Sequence, residues 1–116
     1  MSLLGKLFGA KPAAPSDECV KLCVRLSDDE YGTAAERDAV HEFTDKLAAA
    51  IEEHHAGEFD GDEFGDGECM LFMYGPSADR LFDVIEPLLK AWEPLKGGYA
   101  FKRYGAPGSH SVRIDF

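Results

Sequence analysis

Six consecutive apolar residues, Cys69-Met70-Leu71-Phe72-Met73-Tyr74, constrain this chain more than any other segment. Gly65-Asp66-Gly67 lies just before them and Gly75-Pro76 just after, so turn signals bound the run at the length of a strand. In an extended chain Cys69, Leu71 and Met73 point to one side, and Met70, Phe72 and Tyr74 to the other. Both sides are apolar. The strand Glu68–Tyr74 therefore needs cover on both faces and belongs in the centre of a sheet.

The flanking segments supply its neighbours. Glu18–Leu26 alternates strictly, with Val20, Leu22, Val24 and Leu26 on one side and Cys19, Lys21, Cys23 and Arg25 on the other. That is a strand with one core face. After the polar loop Ser27–Gly32, Thr33-Ala34-Ala35-Glu36 matches a capping box. Val40, Phe43, Leu47, Ala50 and Ile51 then recur at helical spacing, and Gly57 is the expected stop. Glu58–Phe64 reads as a short acidic edge strand, turned into the central strand by Gly65-Asp66-Gly67. Ser77 caps a second helix whose buried face is Leu81, Phe82, Ile85, Leu88, Leu89 and Trp92. Pro87 is expected to kink or restart that helix, and Pro94 and Gly97-Gly98 to end it. Tyr99–Tyr104 and Ser111–Phe116 close the chain as strands. The pattern predicts an α+β fold, a ferredoxin-like two-layer sandwich: βαββαβ plus an extra C-terminal strand, with both helices on one face of an antiparallel sheet.

A chain of 116 residues suits one domain, expected over residues 17–116. Residues 1–16 stand apart. Leu3, Leu4, Leu7 and Phe8 with Lys6 make a short amphipathic segment, and residues 11–16 (Lys11-Pro12-Ala13-Ala14-Pro15-Ser16) a stiff linker. Weak membrane-surface contact through Leu3, Leu4, Leu7 and Phe8 is one expectation; docking on the open sheet and plain disorder are the others. Leu3–Ala10, interrupted by Lys6, is too short for a secretory signal, and Ser2 in place of Gly excludes myristoylation.

The formal charge is −10, and it is unevenly spread. Residues 27–68 hold 15 acids against Arg37 and Lys46, whereas residues 69–116 are close to balanced. Such a chain disfavours nucleic acid, which needs cations along its phosphates. The 3 cysteines make no paired framework and read as reduced thiols of a cytoplasmic protein.

The candidate site is the sheet face turned away from the helices. Lys21, Cys23 and Arg25 lie there if Val20, Leu22 and Val24 face the core. Small Cys69 suits a crowded core, which assigns Met70, Phe72 and Tyr74 to the open face. Phe101 and Arg103, or else Lys102 and Tyr104, join them with Arg113. An aromatic and basic face resembles the sheets on which RNA bases stack, but no RNP1-like run is present. Dimerisation or a protein partner is the expected cover.

Other constellations carry less. Asp60, Asp62, Gly65 and Glu68 fall at positions 1, 3, 6 and 9 of a calcium loop, but Phe64 and Leu71 stand where positions 5 and 12 need ligands. The acidic segment 58–68 is better read as a solvated edge that discourages aggregation. His41 and Asp45 share a helix face without an HExxH motif, His54 and His55 end the helix, and His110 sits in a turn. Lys21 and Arg25 would favour a Cys23 thiolate, yet no base is visible beside it. No catalytic residue, metal site or cofactor is expected.

Glu68-Cys69-Met70-Leu71-Phe72-Met73-Tyr74-Gly75-Pro76-Ser77-Ala78-Asp79-Arg80-Leu81-Phe82, with Phe59-Asp60-Gly61 ahead and Pro87-Leu88 behind, resembles a group of small uncharacterised bacterial proteins. Their shared pattern is close to GE-x-x-L-x-x-YGP-x-AD-x-LF and covers roughly the last half of the chain. The resemblance implies no activity. The sequence thus points to a binding or regulatory module acting through the open sheet face. The alternatives are an acidic immunity or inhibitor-type protein masking a basic effector, and a small enzyme using Cys23 or His54, Glu58 and Asp62.

Overall fold

A computed structural model describes residues 17–116. The expectations for residues 1–16 lie outside them. The elements run β1 (Glu18–Arg25), α1 (Ala34–Glu53), β2 (Glu58–Gly65), β3 (Glu68–Gly75), α2 (Ala78–Ala91), a single 3-10 turn at Glu93–Leu95, β4 (Tyr99–Arg103) and β5 (Ser111–Asp115). The strands form one antiparallel sheet in the order β2-β3-β1-β4-β5. Among the described residues the fold is α+β, with five strands and two helices. β3 and β1, the apolar run and the alternating strand, lie side by side inside the sheet.

One cluster makes the core. Val20, Leu22 and Val24 of β1, Cys69, Leu71 and Met73 of β3, and Ala100 of β4 meet Val40, Phe43, Leu47 and Ile51 of α1 and Leu81, Phe82, Ile85 and Leu89 of α2. Both helices therefore cover the same sheet face. Trp92 extends the cluster by stacking on Phe43, with ring centroids 4.0 Å apart. No helix among the described residues is long and apolar enough to cross a membrane.

Local chemistry explains the ends of the elements. Thr33 and Glu36 close the capping box at α1: the Glu36 backbone N–H donates to Thr33 Oγ1, and the Thr33 N–H to Glu36 Oε1. α1 does not stop on Gly57 as expected. It ends at Glu53, and His55 takes the left-handed conformation, with φ 49°. Gly57 is needed for a different reason: a Cβ there would sit 2.0 Å from the Tyr74 carbonyl oxygen. Asp66 and Gly67, at φ 53° and 78°, make the β2–β3 turn in the mirror-image geometry that tight hairpins favour. Pro87 does not restart α2, which runs through it unbroken. Pro87 and Asp83 are both exposed, so the carbonyl that loses its helical donor is open to water.

Candidate functional site

Strand pairing sets the open face out in rows. Phe72 on β3, Lys21 on β1, Phe101 on β4 and Arg113 on β5 lie directly opposite one another across four strands. On one side of this row run Tyr74, Cys19, Arg103 and Ser111; on the other run Met70, Cys23, Tyr99 and Asp115. Arg25 faces Glu68 beyond them. Lys21, Cys23, Arg25, Met70, Phe72, Tyr74 and Arg113, the residues singled out from the sequence, thus share one face. Of the two alternatives for β4, Phe101 and Arg103 take that face. Lys102 turns to the helices, where it salt-bridges Asp79 at 2.8 Å and lies over the Phe82 ring. Tyr99 was missed by sequence reasoning. Its signal was parity, two residues before Phe101.

Aromatic rings and cations interleave here. Lys21 Nζ lies 5.5 Å from the Phe101 centroid, and the Arg103 guanidinium 6.0 Å from that of Tyr74. Arg113 stacks 3.9 Å over Tyr99, and Arg25 lies 5.8 Å from the same ring. Tyr99 meets Phe101 edge to face at 5.6 Å. Each cation covers aromatic carbon while its polar end stays in water. Among the described residues, no helix packs on this face.

Cys19 and Cys23 are buried under this layer although they face away from the core. Burial raises both thiols above the ordinary range, against Arg103 and Lys21 at Cys19 and against Arg25 at Cys23. The cations beside Cys23 therefore do not produce the thiolate that the sequence allowed for. Cys69, in the core, is pushed up to about 12 by burial.

Within the face lies a pocket of about 260 Å³, lined by Cys19, Lys21, Phe72, Tyr74, Phe101, Arg103 and Ser111. Its two cations differ from the rest of the face. Arg25 pairs with Glu68 at 3.6 Å, and Arg113 with Asp115 at 2.9 Å. Among the described residues, neither Lys21 nor Arg103 salt-bridges a carboxylate. Arg103 instead donates through Nε to the Gly105 carbonyl at 2.8 Å, which leaves its terminal nitrogens available.

The remaining candidates do not converge. The segment resembling a calcium loop is the β2–β3 hairpin, whose alternation separates its acids. Asp62 reaches the helix side, 3.7 Å from His41, whereas Glu63 pairs opposite Met70 on the open side. Asp62, grouped with His54 and Glu58 from the sequence, pairs with His41, and the main-chain carbonyl of His54 accepts from Arg80. His110 stacks on Tyr104, with centroids 6.0 Å apart.

Comparison of the chain with protein-family models, curated proteins and solved structures finds no match in any of the three.

Proposed function

We propose that this protein is a non-catalytic binding module that works through the sheet face opposite its two described helices. One observation carries the reading: the middle of that face alternates aromatic and cation, Phe72–Lys21–Phe101–Arg113, on a molecule whose formal charge is −10. Aromatic surface interleaved with cations favours a partner that presents acidic groups among apolar ones. The strand order fits this use. Read from the β5 edge, the run β4-β1-β3-β2 with β5 beyond β4 is consistent with a ferredoxin-like arrangement, and both described helices pack on the other sheet face. The buried free thiols suit a reducing, cytoplasmic setting. The Tyr74-Gly75-Pro76-Ser77 motif supports the scaffold: Ser77 caps α2, and a Cβ on Gly75 would lie 2.3 Å from the Ala56 carbonyl oxygen.

The test is affinity capture of the full chain from its native cells, beside the Phe72→Glu/Tyr74→Glu variant. The expected result is a partner recovered by the wild-type chain alone. Once purified, that partner should bind the variant roughly a hundredfold more weakly, as loss of central interface aromatics predicts. The variant should melt near the wild-type temperature, because both side chains lie outside the core cluster. Equal recovery by both chains would overturn the reading.

A second reading, self-association, is favoured at the β5 edge. The β2 edge is protected by acids and by an irregularity between Phe59 and Gly61. β5 carries neither a bulge nor a proline, and its single Arg is balanced by Asp115.

A further inference from the structure

We propose that the pocket between β1, β3, β4 and β5 binds a small, flat aromatic carboxylate, with the ring against Phe72, Tyr74 and Phe101 and the carboxylate held by Lys21 and Arg103. The proposal names the ligand class of the open face and so rests on the reading of that face as the binding surface.

Three observations lead to it. The first is charge. Among the described residues five of the ten Lys and Arg form salt bridges, and neither Lys21 nor Arg103 is one of them. The sheet-face cations outside the pocket, Arg25 and Arg113, are each ion-paired, while the two in its lining are not. Asp60 acts against them at Cys19 and Tyr74, but it does not line the pocket. The second is shape. About 260 Å³ accommodates one or two fused rings, and three aromatic side chains supply flat wall. The third is rigidity. Lys21, Phe72 and Phe101 are in direct register on neighbouring strands, and Nε of Arg103 is fixed by the Gly105 carbonyl. A carboxylate between an ammonium and a guanidinium gains charge-assisted hydrogen bonds, and the half-buried setting strengthens them. A bulkier anion such as a nucleotide would bring sugar and phosphate beyond a pocket of this size.

Amide-shift titration of the full chain with indole-3-carboxylate tests the proposal. The expected result is saturable binding, with the shifts centred on Lys21, Phe72, Phe101 and Arg103. Indole, which lacks the charge, and cyclohexanecarboxylate, which lacks the flat ring, should each bind at least about tenfold more weakly. Lys21→Gln/Arg103→Gln should lower affinity for the acid by about tenfold or more, and more than it lowers affinity for indole. Both side chains lie outside the core cluster, and an unchanged amide spectrum elsewhere reports that the variant folds. No saturation up to about 10 mM would overturn the proposal, since such an affinity is below any specific site of this kind. Shifts mapping elsewhere, equal binding of indole, or saturable binding of a short single-stranded oligonucleotide in place of the acid would also overturn it. The two readings fail separately. Loss of partner capture by Phe72→Glu/Tyr74→Glu with no response to the acid removes only the small-molecule site. Binding of the acid with capture equal for both chains removes only the partner-binding face.

Discussion

At the scale of single residues, the three cysteines show how burial outweighs neighbouring charge. Cys23 sits between Lys21 and Arg25 in sequence, an arrangement that would favour a thiolate in water. In the fold it has no exposed surface, and desolvation is the dominant influence on it. Cys19 is similarly covered, and Cys69 is enclosed by the core. All three should be protonated and unreactive at neutral pH. A disulfide-exchange dye at pH 8 should therefore label the native chain at least about tenfold more slowly than the denatured chain, which should release 3 equivalents. Rapid native labelling of one thiol would instead mark an accessible thiolate and bring back the cysteine-enzyme alternative. Alternation in β1 and β3 made legible which residues share a side with each cysteine, and the small size of Cys69 is what assigned it to the core. The burial of Cys23 was not legible, since the cover over it comes from Met70 and Tyr99 on other strands.

At the scale of elements, the start of α1 was legible to the residue because a capping box is local chemistry. What the sequence did not disclose is how far that cap reaches. Glu36 also accepts from the Ser27 backbone N–H and hydroxyl, tying the start of the loop after β1 to the helix. Asp28 accepts from the N–H groups of Glu30 and Gly32 within the same loop. Hydrogen bonds to the charged form hold both carboxyls below their ordinary values: for Glu36 chiefly the Thr33 N–H, for Asp28 chiefly the Glu30 N–H. A depressed carboxyl stabilises the fold fully above its unfolded pKa, and that stabilisation drains away as pH falls through the folded value. Thr33→Ala should cost about 1 kcal/mol at neutral pH, the usual loss for an N-cap. Glu36→Gln should melt below the wild-type temperature at neutral pH, and the gap should narrow as pH is lowered from about 5 to about 3. A gap independent of pH would mean that the Glu36 charge plays no part in the cap. Pro87 and Gly57 mark the limit of local rules. Exposure let α2 run through Pro87, and the close pass of the chain by Tyr74, invisible in sequence, is what requires Gly57.

At the scale of the whole molecule, the two sheet edges are built differently, and β5 makes the proposed self-association testable. The Tyr104 N–H donates to the His110 carbonyl and the Phe116 N–H to the Gly98 carbonyl. By the alternation of antiparallel pairing, Val112 and Ile114 also bond inward, so the main-chain groups of Ser111, Arg113 and Asp115 point to the open edge. Two β5 strands pairing antiparallel about Ile114 would set Arg113 opposite the partner's Asp115 twice over. Ile114 would meet the partner's Ile114, and Val112 the partner's Phe116. Moving the centre to Arg113 would oppose arginine to arginine, so cross-strand charge selects the first register. Light scattering of the wild-type chain at about 100 µM, a concentration at which a micromolar dimer is formed, should then give twice the monomer mass. Asp115→Arg turns both attractive pairs repulsive. At roughly 0.2–1 kcal/mol for each pair lost and a similar penalty for each like-charge pair, dimer affinity should fall by between about fourfold and several hundredfold. The swap Arg113→Asp/Asp115→Arg restores both attractions and should restore the mass. A monomeric wild-type chain, or a dimer indifferent to Asp115→Arg, would remove this seam and leave the open face as the surface through which the molecule meets its partner.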